Sequence, residues 1–225
     1  MTRDIKERPM LFSAPMVRAL LDGSKTQTRR IMKPQPQPAP EPGKHWWPSN
    51  PHQSMLRVED EMQKWTGLAG DCCPYGDHGD RLWVRETHRP IFGQTCGLIG
   101  VDYQADPREK WERLGDAPDC LIKSKWTPSI HMRREYSRIL LEVVSVRVER
   151  LQDISEADAK AEGIEPHEVR QFAIYGMSAA ERAAVYRDAA VGPYRGLWQQ
   201  INGADSWDAN PWVWVVEFKR LIPIS

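Results

Sequence analysis

PMLFSAPMVRALLDGSKTQTRRI, which spans residues 9–31, combines the signals of a helix and of a strand in one short stretch. Ser13 suits a helix cap, and Pro15 fits the first helical turn, where its missing N–H is not needed. Apolar residues then recur at helical spacing as far as Gly23, which predicts the end of the helix. Two threonines at alternating positions follow, so we expect residues 25–31 to be extended.

Several downstream segments have the apolar spacing of a helix or strand, or the capping residues of a helix. They predict a turn and strand at 79–87, a strand at 138–148, helices at 155–162, 178–190 and 197–201, and a strand at 212–218. Leu82 and Val84 share one face of the first of these strands. Trp83 and Arg85 share the other face. Strands separated by short helices, without regular βαβ alternation, indicate an α+β fold, and we expect a single domain over residues 1–225.

Two segments interrupt this pattern. Seven prolines fall between Pro34 and Pro51, and proline cannot supply the backbone donors that a helix or a central strand requires. We therefore interpret residues 34–73 as a proline-rich insertion or loop, and we favour a polyproline-like spacer over a docking peptide. Residues 93–125 are rich in Gly and Asp without a clear period, so we expect an irregular insertion there.

Composition limits the classes of function. The chain has 31 Lys and Arg residues against 31 Asp and Glu residues, so no net charge attracts it to nucleic acid or to a membrane. It contains no apolar run of about 18 residues, the length that a membrane span needs. Its N-terminus lacks the apolar stretch of a secretion signal. These features predict a cytoplasmic protein with free thiols at Cys72, Cys73, Cys96 and Cys120.

Familiar signatures of cofactor and metal sites are absent from the sequence. There is no GxxxxGKS or GxxxxGKT phosphate loop, no GxGxxG turn between a strand and a helix, no GxSxG elbow and no HExxH motif. The best group of metal ligands is Cys72, Cys73 and His78, but adjacent cysteines lack the spacing of a zinc site. We expect no cofactor and no metal, and a structural zinc is the minor alternative.

Residues 23–30, GSKTQTRR, follow the first helix directly and have the pattern G-x-K-x-x-T-x-R. This pattern resembles the signature of the ASCH domain family, a group of PUA-like proteins built on a small β-barrel with short flanking helices. The downstream segments 79–84, 155–163 and 210–215 occur in the order that such domains show. The resemblance covers roughly residues 9–33, 74–92 and 126–222.

Within that family, the chain is most similar to small bacterial N4-acetylcytidine amidohydrolases, which use a lysine, a threonine three residues later and a distant glutamate. The resemblance implies these catalytic roles for Lys25, Thr28 and Glu162, with Arg30 as the accompanying basic residue. It implies a small nucleoside as the substrate. Two further side chains, Trp83 and Arg85, are candidates for lining the substrate pocket.

The chemistry of these residue types supports such roles. A threonine hydroxyl becomes a useful nucleophile when a neutral lysine takes its proton, and burial beside Arg29 or Arg30 would lower the pKa of Lys25. Arg30 or backbone N–H groups could stabilise the oxyanion, and Glu162 could protonate the leaving amine. Three steps along an ideal strand place Lys25 and Thr28 on opposite faces, so Lys25 must act from the turn before the strand or the strand must carry a bulge.

Each assignment has an alternative. Residues 25–30 could form a solvated edge strand, in which the basic side chains face water. A non-enzymatic module that binds RNA, DNA or a modified base is a second hypothesis, because residues 1–33 hold eight Lys and Arg against three acids. A ribonuclease is a weaker third hypothesis, since none of the histidines forms a recognisable acid–base pair.

Overall fold

The computed structural model describes residues 4–38, 45–47, 73–93, 97–106, 121–123, 125–165 and 176–221. Its strands are β1 (Glu7–Leu11), β2 (Gln27–Ile31), β3 (Gln37–Pro38), β4 (His45–Trp46), β5 (Arg81–Arg85), β6 (His88–Gly93), β7 (Gly97–Tyr103), β8 (Leu121–Lys123), β9 (Leu140–Arg150) and β10 (Trp212–Leu221). Its helices are α1 (Ala14–Asp22), α2 (Glu156–Ala161) and α3 (Ala179–Asn202). Strands and helices do not alternate regularly, which confirms the predicted α+β class. Within the described part of the chain, no helix combines the length and the apolar character needed to cross a membrane.

The chain packs as two compact units. The first unit contains residues 1–23, 81–142 and 220–225, and the second contains residues 24–80 and 143–219. This division is finer than the single domain that the sequence predicts.

Helix α1 in the first unit begins and ends where its sequence predicts. It follows Ser13, carries a proline in its first turn, and stops at Gly23, whose φ of 87° is the left-handed conformation that glycine adopts most easily. Its apolar side buries Val17 and Leu20. The alternation of α1 between buried and exposed residues therefore has the period that the sequence indicates.

Two sheets complete the first unit. Strand β1 pairs in parallel with β5, and β5 pairs antiparallel with the first residues of β9. Leu82 and Val84 are buried in β5, whereas Trp83 and Arg85 are half-buried, as the alternation predicts. The other sheet has the strand order β7-β6-β8. Its outer strands occupy Gly97–Tyr103 and Leu121–Lys123, so these described parts of the predicted irregular insertion are more regular than the sequence predicts, and residues 94–96, 107–120 and 124 lie outside the described residues. The glycines of β7 hide its strand pattern, because glycine is depleted in strands generally.

The second unit is built on the remaining residues of β9 with β10 and β2, in the order β9-β10-β2. Strands β10 and β2 are antiparallel, and Thr28 lies opposite Val216. All residues from Trp212 to Val216 are buried, so β10 is covered on both faces. Trp212 and Trp214 therefore belong to the core.

Helix α3 differs from the prediction of two separate helices at 178–190 and 197–201. It is one helix of 24 residues that passes through Pro193. Proline in a helix interior costs about 3 kcal/mol, because it removes a hydrogen bond and crowds the preceding turn. Ala190, Tyr194 and Trp198 recur every four residues and are buried against the core of this unit, and this burial offsets the cost.

The start of the proline-rich segment is attached to β10. Gln35 accepts a hydrogen bond from the Trp212 N–H at 2.7 Å and donates to the Trp212 carbonyl at 3.1 Å. Trp47 packs edge-on against Trp214, with ring centroids 5.4 Å apart, and donates to the Pro34 carbonyl at 2.8 Å. The two-residue strands β3 and β4, which lie between Gln35 and Trp47 in the chain, pair in antiparallel orientation. Residues 39–44 and 48–72 of the predicted insertion lie outside the described residues.

Candidate active site

Residues 24–26 lie between the end of α2 and the edge of β10. The Thr26 N–H donates to the Ala161 carbonyl at 2.8 Å, and the Thr26 carbonyl accepts from the Phe218 N–H at 2.9 Å. Lys25 and Glu162 form an isolated antiparallel bridge. Lys25 thus precedes β2 and lies in the turn before the strand, which is one of the two positions that its spacing from Thr28 allows.

Local sequence explains why α2 ends beside this turn. Ser155 and Asp158 form a reciprocal capping box that fixes the first turn of α2. Gly163 has a φ of 79° and follows Glu162, which is the last residue before the chain leaves the helix. Gln27 is buried and donates to the Asp158 carbonyl at 3.0 Å, so β2 also holds this short helix in place.

Lys25 and Glu162 form a buried ion pair. The Lys25 Nζ donates to Glu162 Oε2 at 2.7 Å and to the Glu162 backbone carbonyl at 2.9 Å. Lys25 is only 3% exposed and Glu162 only 5%. Burial lowers the pKa of Lys25 from its ordinary value, against the opposing effect of Glu162, while Arg30 and Arg29 lower it further. The pair therefore has the environment in which a lysine amine can lose its proton.

Arg29 takes the second oxygen of the same carboxylate. Its Nη1 lies 3.3 Å from Glu162 Oε1, and its Nη2 contacts Glu149 on β9 and Asp158 on α2. Burial alone would lower the pKa of Arg29, but these carboxylates raise it above its ordinary value. Arg29 is thus a permanently charged residue held by three acids in the interior.

Thr28 and Arg30 lie next along β2. Thr28 is 2% exposed, and Arg30, opposite Trp214, is half-buried. Burial lowers the pKa of Arg30, while Tyr75 and Glu162 oppose that change. Residues 25–30 therefore do not form the solvated edge strand of the alternative interpretation, because Lys25 and Arg29 are buried and paired with acids.

Sequence reasoning missed four residues of this cluster as site residues: Arg29, Glu149, Asp158 and Tyr194. Tyr194 is buried on α3, and its pKa is raised well above its ordinary value by burial and by Glu162. The excess of acids in residues 151–168 was a signal for Asp158. No sequence signal pointed to Tyr194, because it follows Pro193 at the point where the sequence predicts a break between helices.

The other predicted residues lie apart from this cluster along the chain. Trp83 and Arg85 belong to β5 in the first unit, where the Arg85 guanidinium lies 5.4 Å from the Trp83 ring centroid and donates to the Ile130 carbonyl. Their role in substrate binding stays a prediction. Cys73 is buried, and Cys72, Cys96 and Cys120 lie outside the described residues. Among the residues that the structure describes, no three His, Cys, Asp or Glu side chains are grouped as metal ligands would be.

Comparisons with protein-family models, with curated proteins and with solved structures found no match to this chain.

Proposed function

We propose that this protein is an amidohydrolase of the PUA-like ASCH type, which removes the acyl group from N4 of an acylated cytosine nucleoside. The observation that carries the proposal is the buried ion pair between Lys25 and Glu162, in which Nζ and Oε2 are 2.7 Å apart. Thr28, three residues after Lys25, is also buried. A lysine, a threonine three residues later and a distant glutamate are the residue types that the resemblance to the N4-acetylcytidine amidohydrolases implies.

Lys25 supplies the base in the proposed reaction. A buried lysine whose pKa is lowered by desolvation and by Arg29 and Arg30 spends more time as a neutral amine than an exposed one. The neutral amine accepts the proton of the Thr28 hydroxyl as the Thr28 oxygen bonds to the acyl carbon. The product of this step is a tetrahedral adduct, and Arg30 is the candidate cation for its oxyanion.

Glu162 supplies the acid. In the form with a neutral Lys25, the proton that the pair shares resides on the Glu162 carboxyl group. That proton passes to the N4 amine as the carbon–nitrogen bond breaks, releasing cytidine and leaving the acyl group on Thr28. Water then attacks the ester with Glu162 as the base, and Lys25 returns its proton to the Thr28 oxygen. One turnover consumes one water and leaves the protonation of the pair unchanged.

The charges of the cluster favour a small uncharged substrate over a polyanion. Arg29 binds Glu149, Asp158 and Glu162, and Arg147 binds Glu149, Asp158 and Glu217. Basic groups that are already neutralised by acids inside the protein add little to phosphate binding, which depends on accessible cations. The excess of positive charge in residues 1–33 therefore overstates the attraction of this site for RNA.

The test is the release of cytidine from N4-acetylcytidine, followed by chromatography. Lys25→Ala, Thr28→Ala and Glu162→Ala should each reduce kcat by roughly 10²- to 10⁴-fold, the usual contribution of a positioned acid or base. Lys160→Ala is the matched control, because Lys160 also binds a glutamate, Glu156, at 2.7 Å, but on the exposed side of α2.

The control variant should keep wild-type kcat. Unchanged turnover in folded Lys25→Ala or Glu162→Ala protein would refute the proposed mechanism. Wild-type protein that hydrolyses no member of a series of N4-acylcytidines of graded acyl size would refute the proposed function.

A further inference from the structure

The two oxygens of the Glu162 carboxylate have different partners. Oε2 accepts from the Lys25 Nζ at 2.7 Å, and Oε1 accepts from Arg29 Nη1 at 3.3 Å. A guanidinium group only donates hydrogen bonds and does not lose its charge in proteins. A proton on Oε1 would therefore point at an N–H group, so a protonated Glu162 must carry its proton on Oε2.

Arg29 is itself held in place from two other elements. Its Nη2 contacts Glu149 on β9 and lies 3.3 Å from Asp158 on α2, and its side chain is fully buried. A buried guanidinium must keep such partners, because leaving its charge unpaired would cost several kcal/mol. The planar fork of arginine contacts all three acids at once, which the single ammonium of a lysine does not do equally well.

We propose that Arg29 is a positioning residue of this hydrolase, which fixes the Glu162 carboxyl group so that only Oε2 exchanges a proton with Lys25. This inference rests on the proposed function and extends it, because Arg29 occupies a variable position of the G-x-K-x-x-T-x-R pattern. Arg29 does not touch the reacting atoms. Its hydrogen bond to Oε1 fixes the orientation of the Glu162 carboxyl group, and its positive charge lowers the pKa of Lys25.

The charged and titratable groups that influence the pair come from several elements. Arg29 and Arg30 on β2 both lower the pKa of Lys25. Tyr194 on α3 interacts with Glu162 and with both arginines. Removing the positive charge of Arg29 therefore raises the pKa of Lys25. Because the neutral amine is the active form, the rising limb of the pH–rate profile then moves to higher pH.

The experiment compares Arg29→Gln and Arg29→Lys with the control Arg195→Gln. Arg195 also lies near an acid, Asp208, at 3.7 Å, but it is exposed on α3 and contacts no residue of the cluster that the structure shows around Glu162. For Arg29→Gln we expect kcat for N4-acetylcytidine to fall by roughly 10- to 100-fold, the usual cost of a misplaced catalytic group, and the rising limb to shift to higher pH. Arg29→Lys keeps the charge but loses the fork, so kcat should fall without a shift of that limb.

Arg195→Gln should change neither kcat nor the pH profile. The inference is overturned when folded Arg29→Gln matches Arg195→Gln in both measurements. If Arg29→Gln does not fold, Arg29→Lys decides: wild-type kcat in that variant rejects a positioning role for the guanidinium fork.

A second readout separates this inference from the proposed function. The titration of the Lys25 Nζ is followed by NMR on protein with labelled lysine, and the resonance is assigned by its loss in Lys25→Met. Its midpoint should lie at higher pH in Arg29→Gln than in wild-type protein. Absence of N4-acylcytidine hydrolysis by the wild type would remove the proposed function, and an unchanged Lys25 midpoint would remove the role of Arg29.

Discussion

Replacing Glu162 alone should destabilise the protein more than replacing Glu162 and Lys25 together. Glu162→Leu removes the 2.7 Å contact with Lys25 Nζ and leaves this buried ammonium with only the backbone carbonyl at 2.9 Å. Breaking a buried ion pair in this way typically costs about 3–5 kcal/mol. For a chain of this length, about 2–4 °C is lost per kcal/mol, so we expect Tm to fall by roughly 6–20 °C.

The other two variants complete a double-mutant cycle. Lys25→Met leaves Glu162 with its contact to Arg29, so the expected loss is smaller, about 1–3 kcal/mol. In Lys25→Met/Glu162→Leu no unpaired charge remains at either position, because Arg29 keeps Glu149 and Asp158. Apolar replacements of a buried pair are often nearly neutral, so the double variant should lie within about 1–2 kcal/mol of wild type.

Urea unfolding followed by tryptophan fluorescence measures all four proteins. With these losses, the cycle should give a coupling free energy of at least about 2 kcal/mol between the two residues, because they are in direct contact. A double variant whose loss equals the sum of the two single losses would refute the reasoning, because two independent side chains would behave in that way.

The same proteins test the protonation of Lys25. Burial places the folded pKa of Lys25 below its ordinary value of 10.5, although Glu162 opposes this shift. Between that lowered pKa and 10.5 the unfolded chain binds more protons than the folded chain, so the stability of the wild type rises with pH in this window. The stability difference between wild type and Lys25→Met should therefore grow as pH rises toward 10.5. A difference that falls with pH would contradict burial as the dominant cause.

Local features of the helices yield the remaining predictions. Ser155→Ala and Ser178→Ala each remove a capping box, and each should lower the free energy of unfolding in urea by about 1 kcal/mol. Only Ser155→Ala should also lower kcat for N4-acetylcytidine, because Ser155 caps α2 and Glu162 lies at the end of that helix. Equal effects of the two variants on kcat would contradict the role of α2. Gly163→Ala should lower the free energy of unfolding by about 1–2 kcal/mol, because a φ of 79° disfavours a residue with a side chain. Gly196 is exposed in α3 and has open space around its Cβ position, so Gly196→Ala should raise the free energy of unfolding by about 0.5–1 kcal/mol.

Local sequence signals predicted individual elements well and their assembly less well. Ser13 and Gly23 mark the limits of α1, and the Ser155 capping box marks the start of α2, because caps depend on residues within about four positions of each other. The break predicted in α3 was wrong. Its local signal at Pro193 was outweighed by burial of Tyr194 and Trp198, a tertiary effect that no local pattern contains.

The candidate site shows the same division. The resemblance to the ASCH family, which is visible in sequence alone, implies roles for Lys25, Thr28, Arg30 and Glu162. Sequence also predicted that either Lys25 stands in the turn before the strand or the strand carries a bulge, since side chains alternate along β2.

The contacts that give these residues their chemistry were decided by the tertiary structure. Lys25 meets Glu162 across 137 positions of the chain, and Arg29 meets Glu149 across 120. Which acid neutralises which base depends on how β2, β9, α2 and α3 pack together, because electrostatic partners are set by distance in space and by exclusion of water. The sequence by itself determined which residues are capable of acid–base chemistry, and only the packed structure decided that a buried lysine and a buried arginine share one carboxylate.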